Sequence, residues 1–317
     1  MDKKKNKFLT LKNKLFELYY ERKYKEAQKV AKMAYEKFKD RITDTTFWLA
    51  CFNSLLKNKD EAIIILKNAL DNGIWWSPQL LMSETDFDFI KEEKEFKEIV
   101  ERCRVFFEEA QSKAKPECLL LHAESFDNKK ESKLFIAIHF RGSNAEEFSE
   151  YFKKTVLKRD YILAVPQSSQ ISTQNKFCWD NHEAAKKEIS DHYKEISNKY
   201  RLNEEETIIA GASQGGALSL ELALGENELN IKKFISIIPG IKDISSYIPL
   251  VKNGVNKGIK GFIITGEKDF YLPMAKELYK EARKLKLQCE FVSIKGMGHN
   301  IPENFEDYLN EALDFLK

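Results

Sequence analysis

Along this chain the spacing of apolar residues changes once. From Phe8 to about Arg104 it is helical: Phe8, Leu11, Leu15, Leu18 and Tyr19, then Tyr24, Ala27, Val30, Ala31, Ala34 and Phe38. Residues three and four apart share one face of a helix, so this stretch is expected to be all helix. Within it YKEA at Tyr24–Ala27 is echoed by KDEA at Lys59–Ala62, an offset of 35 residues, and each opens the second helix of a helical hairpin. Hairpins repeated at such an interval stack because no single pair buries its own apolar face. Trp75 and Trp76, just before Pro78, are expected to anchor the end of that stack.

The polar, proline-bearing QSKAKPE at Gln111–Glu117 marks the change. After it come short apolar or β-branched runs, CLLLHA, KLFIAIHF, YILAVP, TIIAGA, FISIIP, GFIITG and CEFVSI, with helical patterns near 181–200, 214–225, 273–286 and 303–316. Uninterrupted apolar strands separated by helices predict a mostly parallel sheet covered on both faces, an α/β fold. The first two runs are joined by ESFDNKKES without a helix, so they are expected to pair antiparallel at one edge. The domains expected are 1–112, all helical, and 113–317, α/β.

Composition narrows the function more than the fold. With 52 Lys and Arg against 50 Asp and Glu, the net charge of +2 provides no general field for nucleic acid or an anionic membrane. The five cysteines are scattered and never form C-x-x-C, which argues for reduced thiols in a cytoplasmic protein. Lys12 and Lys14 interrupt what a secretory signal would need as its apolar core, and no apolar run approaches the roughly 20 residues of a membrane span.

Chemistry concentrates in TIIAGASQGGALSLELAL, Thr207–Leu224, where three of the chain's 13 glycines, Gly211, Gly215 and Gly216, surround Ser213. A strand that turns into a helix at one residue forces strained backbone angles there and brings the neighbouring positions into collision, which glycine relieves. The serine hydroxyl is thereby raised at the positive end of a helix, beside the backbone N–H of Gln214, which can bind an oxyanion. Such a serine needs a base and an orienting carboxylate. His299 in KGMGHNIP follows the last strand and projects from the same sheet edge as Ser213. Asp269 in FIITGEKDFYLP follows the preceding strand; Asp243 is the fallback, and Glu267 reads as a solvated turn residue. His122 and His139 follow strands but lack companion ligands, so they read as structural and no metal is expected.

From about residue 117 to 317 the sequence resembles an α/β-hydrolase of the carboxylesterase, phospholipase and dienelactone hydrolase type. The resemblance rests on GASQGG, TGEKD, GMGHNIP, IAIHFRGSNAEEF, AVPQSSQ and FCWDN, and on the order Ser213, Asp269, His299. It implies that HFRGS supplies the second oxyanion donor, the backbone N–H of Arg141, with Phe140 standing where glycine is usual. It also makes Phe140, Gln167, Trp179, Asp180 and Met297 candidates for lining the substrate pocket. The helical half resembles tetratricopeptide repeats, which implies a protein partner or self-association through that domain.

The expected chemistry is cleavage of a small or medium ester or thioester through an acyl-enzyme, without cofactor. GIKDISSYIPLVKNGVNKG is the only insertion able to form a lid, and it is short. Two alternatives are a serine peptidase on the same fold and a helical-repeat scaffold whose hydrolase domain has weakened or lost its activity.

Overall fold

The computed structural model describes residues 3–226, 229 and 231–317. It divides into two compact units, Met1–Ala114 with Ile171–Gln174, and Lys115–Gln170 with Asn175–Lys317. In the first, helices α1 (Lys3–Tyr20), α2 (Tyr24–Lys37), α3 (Ile42–Leu55) and α4 (Lys59–Asp71) pack each on the next, followed by α5 (Pro78–Ser83) and α6 (Lys94–Lys113). Ala27 and Ala62, from the two echoed tetrapeptides, are fully buried. The echo extends to the backbone. Arg22 and Lys57 are both left-handed, at φ 57° and 65°. The next N–H in each turn reaches back into the preceding helix, Lys23 to the Leu18 carbonyl at 2.9 Å and Asn58 to that of Asn53 at 2.8 Å. One turn design thus closes both hairpins, although neither turn uses the glycine that such helix ends favour.

Trp75 and Trp76 are buried in the core of this unit with Leu81, Phe87, Ile90 and Phe96, as an anchor requires. Residues 171–174 belong to the same unit. Ser77 N–H donates to the Ser172 carbonyl (3.0 Å), and Thr173 Oγ1 donates to that of Trp75 (2.8 Å).

The second unit carries strands β1 (Glu117–Leu121), β2 (Lys133–Ile138), β3 (Tyr161–Gln167), β4 (Gln170–Thr173, whose last three residues lie in the first unit), β5 (Lys176–Cys178), β6 (Ile208–Ala212), β7 (Lys233–Ile237), β8 (Lys260–Gly266) and β9 (Gln288–Ile294). Seven of them form one sheet in the order β1-β3-β2-β6-β7-β8-β9, parallel except for β1. Side chains alternate between its faces. Leu134, Ile136, Ile209, Phe234 and Ile263 enter one core with α9 (His182–Lys199), α10 (Gln214–Leu224), α11 (Ile248–Asn256) and α12 (Leu272–Lys284). Phe135, Ala137, Ile208, Ile235 and Phe262 enter the other with α7 (Ala145–Ser149), α8 (Lys153–Leu157) and α13 (Phe305–Phe315). Burial on both faces is why these strands read as unbroken apolar runs.

Two expectations are corrected. β1 lies antiparallel at the edge, but its partner is β3 (Leu119 opposite Val165), not β2. β2 is buried along nearly all its length and takes a neighbour on each side, whereas the half-exposed β1 suits an edge. The stretch expected as the only possible lid, residues 240–258, instead forms a 3₁₀ turn at Ile244–Ser246 and helix α11. Val251 is fully buried there, so the segment belongs to the helical layer over the sheet.

Candidate active site

Ser213 sits between β6 and α10 with φ 54° and ψ −114°, a conformation that costs a non-glycine residue of order 1–3 kcal/mol. Backbone bonds hold it there: its N–H donates to the Ile237 carbonyl, and its carbonyl accepts from Gly240 and Ala217, each at 3.0 Å. The glycines are required by close approach. A Cβ on Gly211 would lie 2.1 Å from the Gly215 carbonyl oxygen, and one on Gly215 would lie 2.2 Å from that of Ile138. Ile238, directly after β7, is likewise left-handed at φ 42°. For a β-branched residue this is a second strained position beside the strand end that holds Ser213.

The three residues singled out from the sequence come together. Ser213 Oγ lies 2.8 Å from His299 Nε2, and His299 Nδ1 lies 3.0 and 2.9 Å from the two carboxylate oxygens of Asp269. With Asp269 accepting, Nδ1 carries the ring proton and Nε2 is left to accept from the serine hydroxyl. Asp269 is 4% exposed, and its oxygens also accept from Tyr271 N–H (2.9 Å) and the Thr265 hydroxyl (3.3 Å). Close approach between the end of β8 and the histidine loop sets the distance, since Lys268 N–H donates to the Met297 carbonyl at 2.8 Å. Asp243 is fully exposed and caps the 3₁₀ turn through Ser245; Glu267 is an exposed turn residue whose carboxylate accepts from Gly296 N–H.

The backbone N–H groups of Gln214 and Arg141 have no protein acceptor among the described residues. Their side chains meet at Asp180: the Arg141 guanidinium pairs with both carboxylate oxygens, and Gln214 Nε2 donates to Oδ1 at 2.7 Å. Burial pushes the Asp180 carboxyl up, but the Arg141 charge and the Gln214 bond outweigh it and hold the group below the usual carboxylate range. Trp179 is fully buried; its backbone N–H donates to Gln214 Oε1 (3.1 Å) and its indole N–H to the His139 carbonyl (2.9 Å). Gln167 Oε1 accepts from Ala145 N–H (2.8 Å), and Phe140 and Met297 pack into the core on the α13 face of the sheet.

His139 is fully buried against the Trp179 ring, and burial pushes its imidazole down to about 4. His122 stacks on Phe126. Among the described residues no cluster of three His, Cys, Asp or Glu could hold a metal ion, and no helix is long and apolar enough to cross a membrane. Sequence reasoning missed Phe270 and Tyr271, whose ring centroids lie 4.9 and 5.3 Å from that of His299. Phe270 is 57% exposed, and the only signal for either residue was its position directly after Asp269.

A parallel sheet with helices on both faces, carrying a serine on a strand-to-helix bend beside a histidine and a buried aspartate, defines the α/β-hydrolase fold. The model of the Phospholipase/Carboxylesterase family matches residues 126–317, and that of the A/B hydrolase-like N-terminal domain matches residues 7–111. The chain belongs to the phospholipase/carboxylesterase family, a family of hydrolases. Among solved structures it is similar to an uncharacterized protein from Bacillus cereus ATCC 10987, at 26% identity and TM-score 0.55, with 98% of each chain covered. It is also similar to esterase PE8 (17% identity, TM-score 0.51, 62% of this chain and 99% of that one) and to a ferulic acid esterase (17%, 0.50, 64% and 92%). At that identity these two likenesses concern the fold alone. No curated protein matches the chain.

Proposed function

We propose that this protein is a serine hydrolase that cleaves a carboxylic ester or thioester through an acyl-enzyme, with Ser213 as nucleophile, His299 as base and Asp269 as its orienting acid. The observation that carries this reading is the unbroken hydrogen-bonded chain from Ser213 Oγ through His299 to Asp269, begun at a strained serine. In the first step Oγ attacks the carbonyl carbon while its proton passes to His299 Nε2. The oxyanion that forms is met by the N–H groups of Gln214 and Arg141. Collapse breaks the bond to the alcohol or thiol, which leaves with the proton from Nε2. Water then repeats the sequence on the acyl-enzyme and releases the acid. The reaction draws on these side chains and backbone groups and on water alone.

Because residues 240–258 are packed into the body of the unit, we take the substrate to be a small or medium soluble ester and not one presented at a lipid surface. The test uses the full chain with a panel of p-nitrophenyl esters and a fluorophosphonate label. Ser213→Ala should retain its fold, lose the label and lose at least about 10³-fold in kcat. Persistent labelling or turnover in Ser213→Ala would place the nucleophile elsewhere and end the proposal.

A further inference from the structure

We propose that Asp180 is a positioning residue: it sets the spacing of the two oxyanion donors, the backbone N–H groups of Arg141 and Gln214, and acts on kcat through them without touching substrate. This rests on the serine-hydrolase reading above and assigns a task to a carboxylate that the triad leaves unused. The two donors come from segments far apart in the chain, one after β2 and the other at the start of α10. An oxyanion hole works only if both N–H groups point at the place where the charge develops.

Residues 177–180 join those segments at four points. Phe177 exchanges two backbone bonds with the first, accepting from Gly142 N–H and donating to the Ser143 carbonyl, both at 2.9 Å. The Trp179 indole ties to His139, and the Trp179 N–H to the Gln214 side chain. Asp180 completes the set by taking the Arg141 guanidinium and the Gln214 amide on one carboxylate. The Gln214 amide is therefore fixed at both ends, its oxygen by Trp179 and its nitrogen by Asp180. The low protonation range of Asp180 keeps that carboxylate charged at working pH. Arg141 and Asp180 neutralise each other, so the pair offers little net charge to a substrate and its value is geometric.

The test compares wild type, Asp180→Ala, the isosteric Asp180→Asn, Gln214→Ala and the double variant Asp180→Ala/Gln214→Ala. The substrate is p-nitrophenyl acetate, and a trifluoromethyl ketone serves as the tetrahedral mimic. Deleting a donor outright costs about 10²–10³-fold in kcat, so misaligning one is expected to cost about 10- to 100-fold. In Asp180→Ala, kcat should fall by that amount while KM stays within about twofold, and the ketone Ki should rise in parallel with the loss in kcat/KM. Gln214→Ala keeps its backbone N–H but loses the anchor, so it should behave alike, and the double variant should be little worse than either single one. Should Asp180→Ala fail to fold, Asp180→Asn is read by the same kcat, KM and Ki measurements, with a smaller loss.

A raised KM at unchanged kcat would make Asp180 part of the pocket wall and overturn the proposal. So would wild-type kcat in the Asp180 variants while Ser213→Ala is inactive, and that result would leave the serine-hydrolase reading standing. Activity that survives Ser213→Ala overturns both.

Discussion

Gly266→Ala tests whether the approach of the histidine loop to the end of β8 sets the spacing of Asp269 and His299. A Cβ at Gly266 would sit 2.1 Å from the Met297 carbonyl oxygen and 2.6 Å from that of Gly298, both backbone atoms that cannot rotate away. Ordinary contact lies near 3.5 Å, so the end of β8 and the loop must separate by more than ~1 Å. Asp269 follows three residues after Gly266, and His299 two residues after Met297. A separation of that size would stretch the 2.9 Å contact between them past hydrogen-bond range. Misplacement by about 1 Å costs on the order of 10²-fold in rate, while overpacking costs about 1–3 kcal/mol of stability.

The assay is kcat/KM for p-nitrophenyl acetate corrected for folded fraction, with thermal unfolding alongside. Gly261→Ala is the control. It lies on the same strand, where an added Cβ would meet the Phe234 ring at 2.0 Å, away from Ser213, Asp269 and His299. Gly266→Ala should lose about 10²-fold in rate, whereas Gly261→Ala should lose stability but keep its rate per folded molecule. Full activity in Gly266→Ala, or equal losses in both variants, would refute the reasoning.

Three further predictions concern stability. Burial and the Glu84 charge raise the Asp86 carboxyl from 3.8 to about 6, against partial relief from the Tyr19 hydroxyl that donates to it at 3.0 Å. A carboxyl raised on folding stabilises below its unfolded pKa and loses that contribution as pH rises through the folded one. The contribution of Asp86 should therefore fall from pH 4 to 6, so Asp86→Asn should gain in Tm relative to the wild type across that range and at pH 7; an unchanged Tm difference would disprove it. Burial pushes Glu221 up, but hydrogen bonds from His182 and Lys186 prevail and hold it at about 2, below its ordinary 4.5. Its contribution is present above pH 4.5 and is lost as pH falls through 2, so Glu221→Gln should cost about 1.5–3 kcal/mol at pH 7 in urea unfolding and much less at pH 2. Trp76→Ala, which empties a fully buried site, should cost about 3–5 kcal/mol in the same measurement.

The architecture was legible because both periods are driven by burial. Each of the seven apolar runs became a strand of the one sheet, and the four longer helical patterns became α9, α10, α12 and α13. What escaped was short or non-local. α7 and α8 have five residues each, too few to display a face. α11 was hidden by Gly254 and Pro249, within a stretch read as a short insertion between strands, although its Val251 is fully buried. Strand order was beyond reach for a different reason. The link from β1 to β2 looked like a hairpin, and nothing local says that β3 will stand between them.

The same distinction between local and distant causes separates the two layers of the site. Ser213, Asp269 and His299 could be singled out one at a time, because each lies just past a strand and parallel strands deliver those positions to one edge. Glycine marks two of the close approaches involved, at Gly215 and Gly266, since any side chain there would push backbone from backbone. Asp180 has no such local sign. Its partners Gln214 and Arg141 lie 34 and 39 residues away, so from sequence it could only be read as a resident of a loop near the pocket. A carboxylate bound at once to two segments gains its meaning from their separation, which is a property of the assembled sheet. The three residues of the proposed triad can therefore be read from strand ends and glycines, whereas a carboxylate such as Asp180, bound to two distant segments, becomes visible only when those strand ends stand side by side.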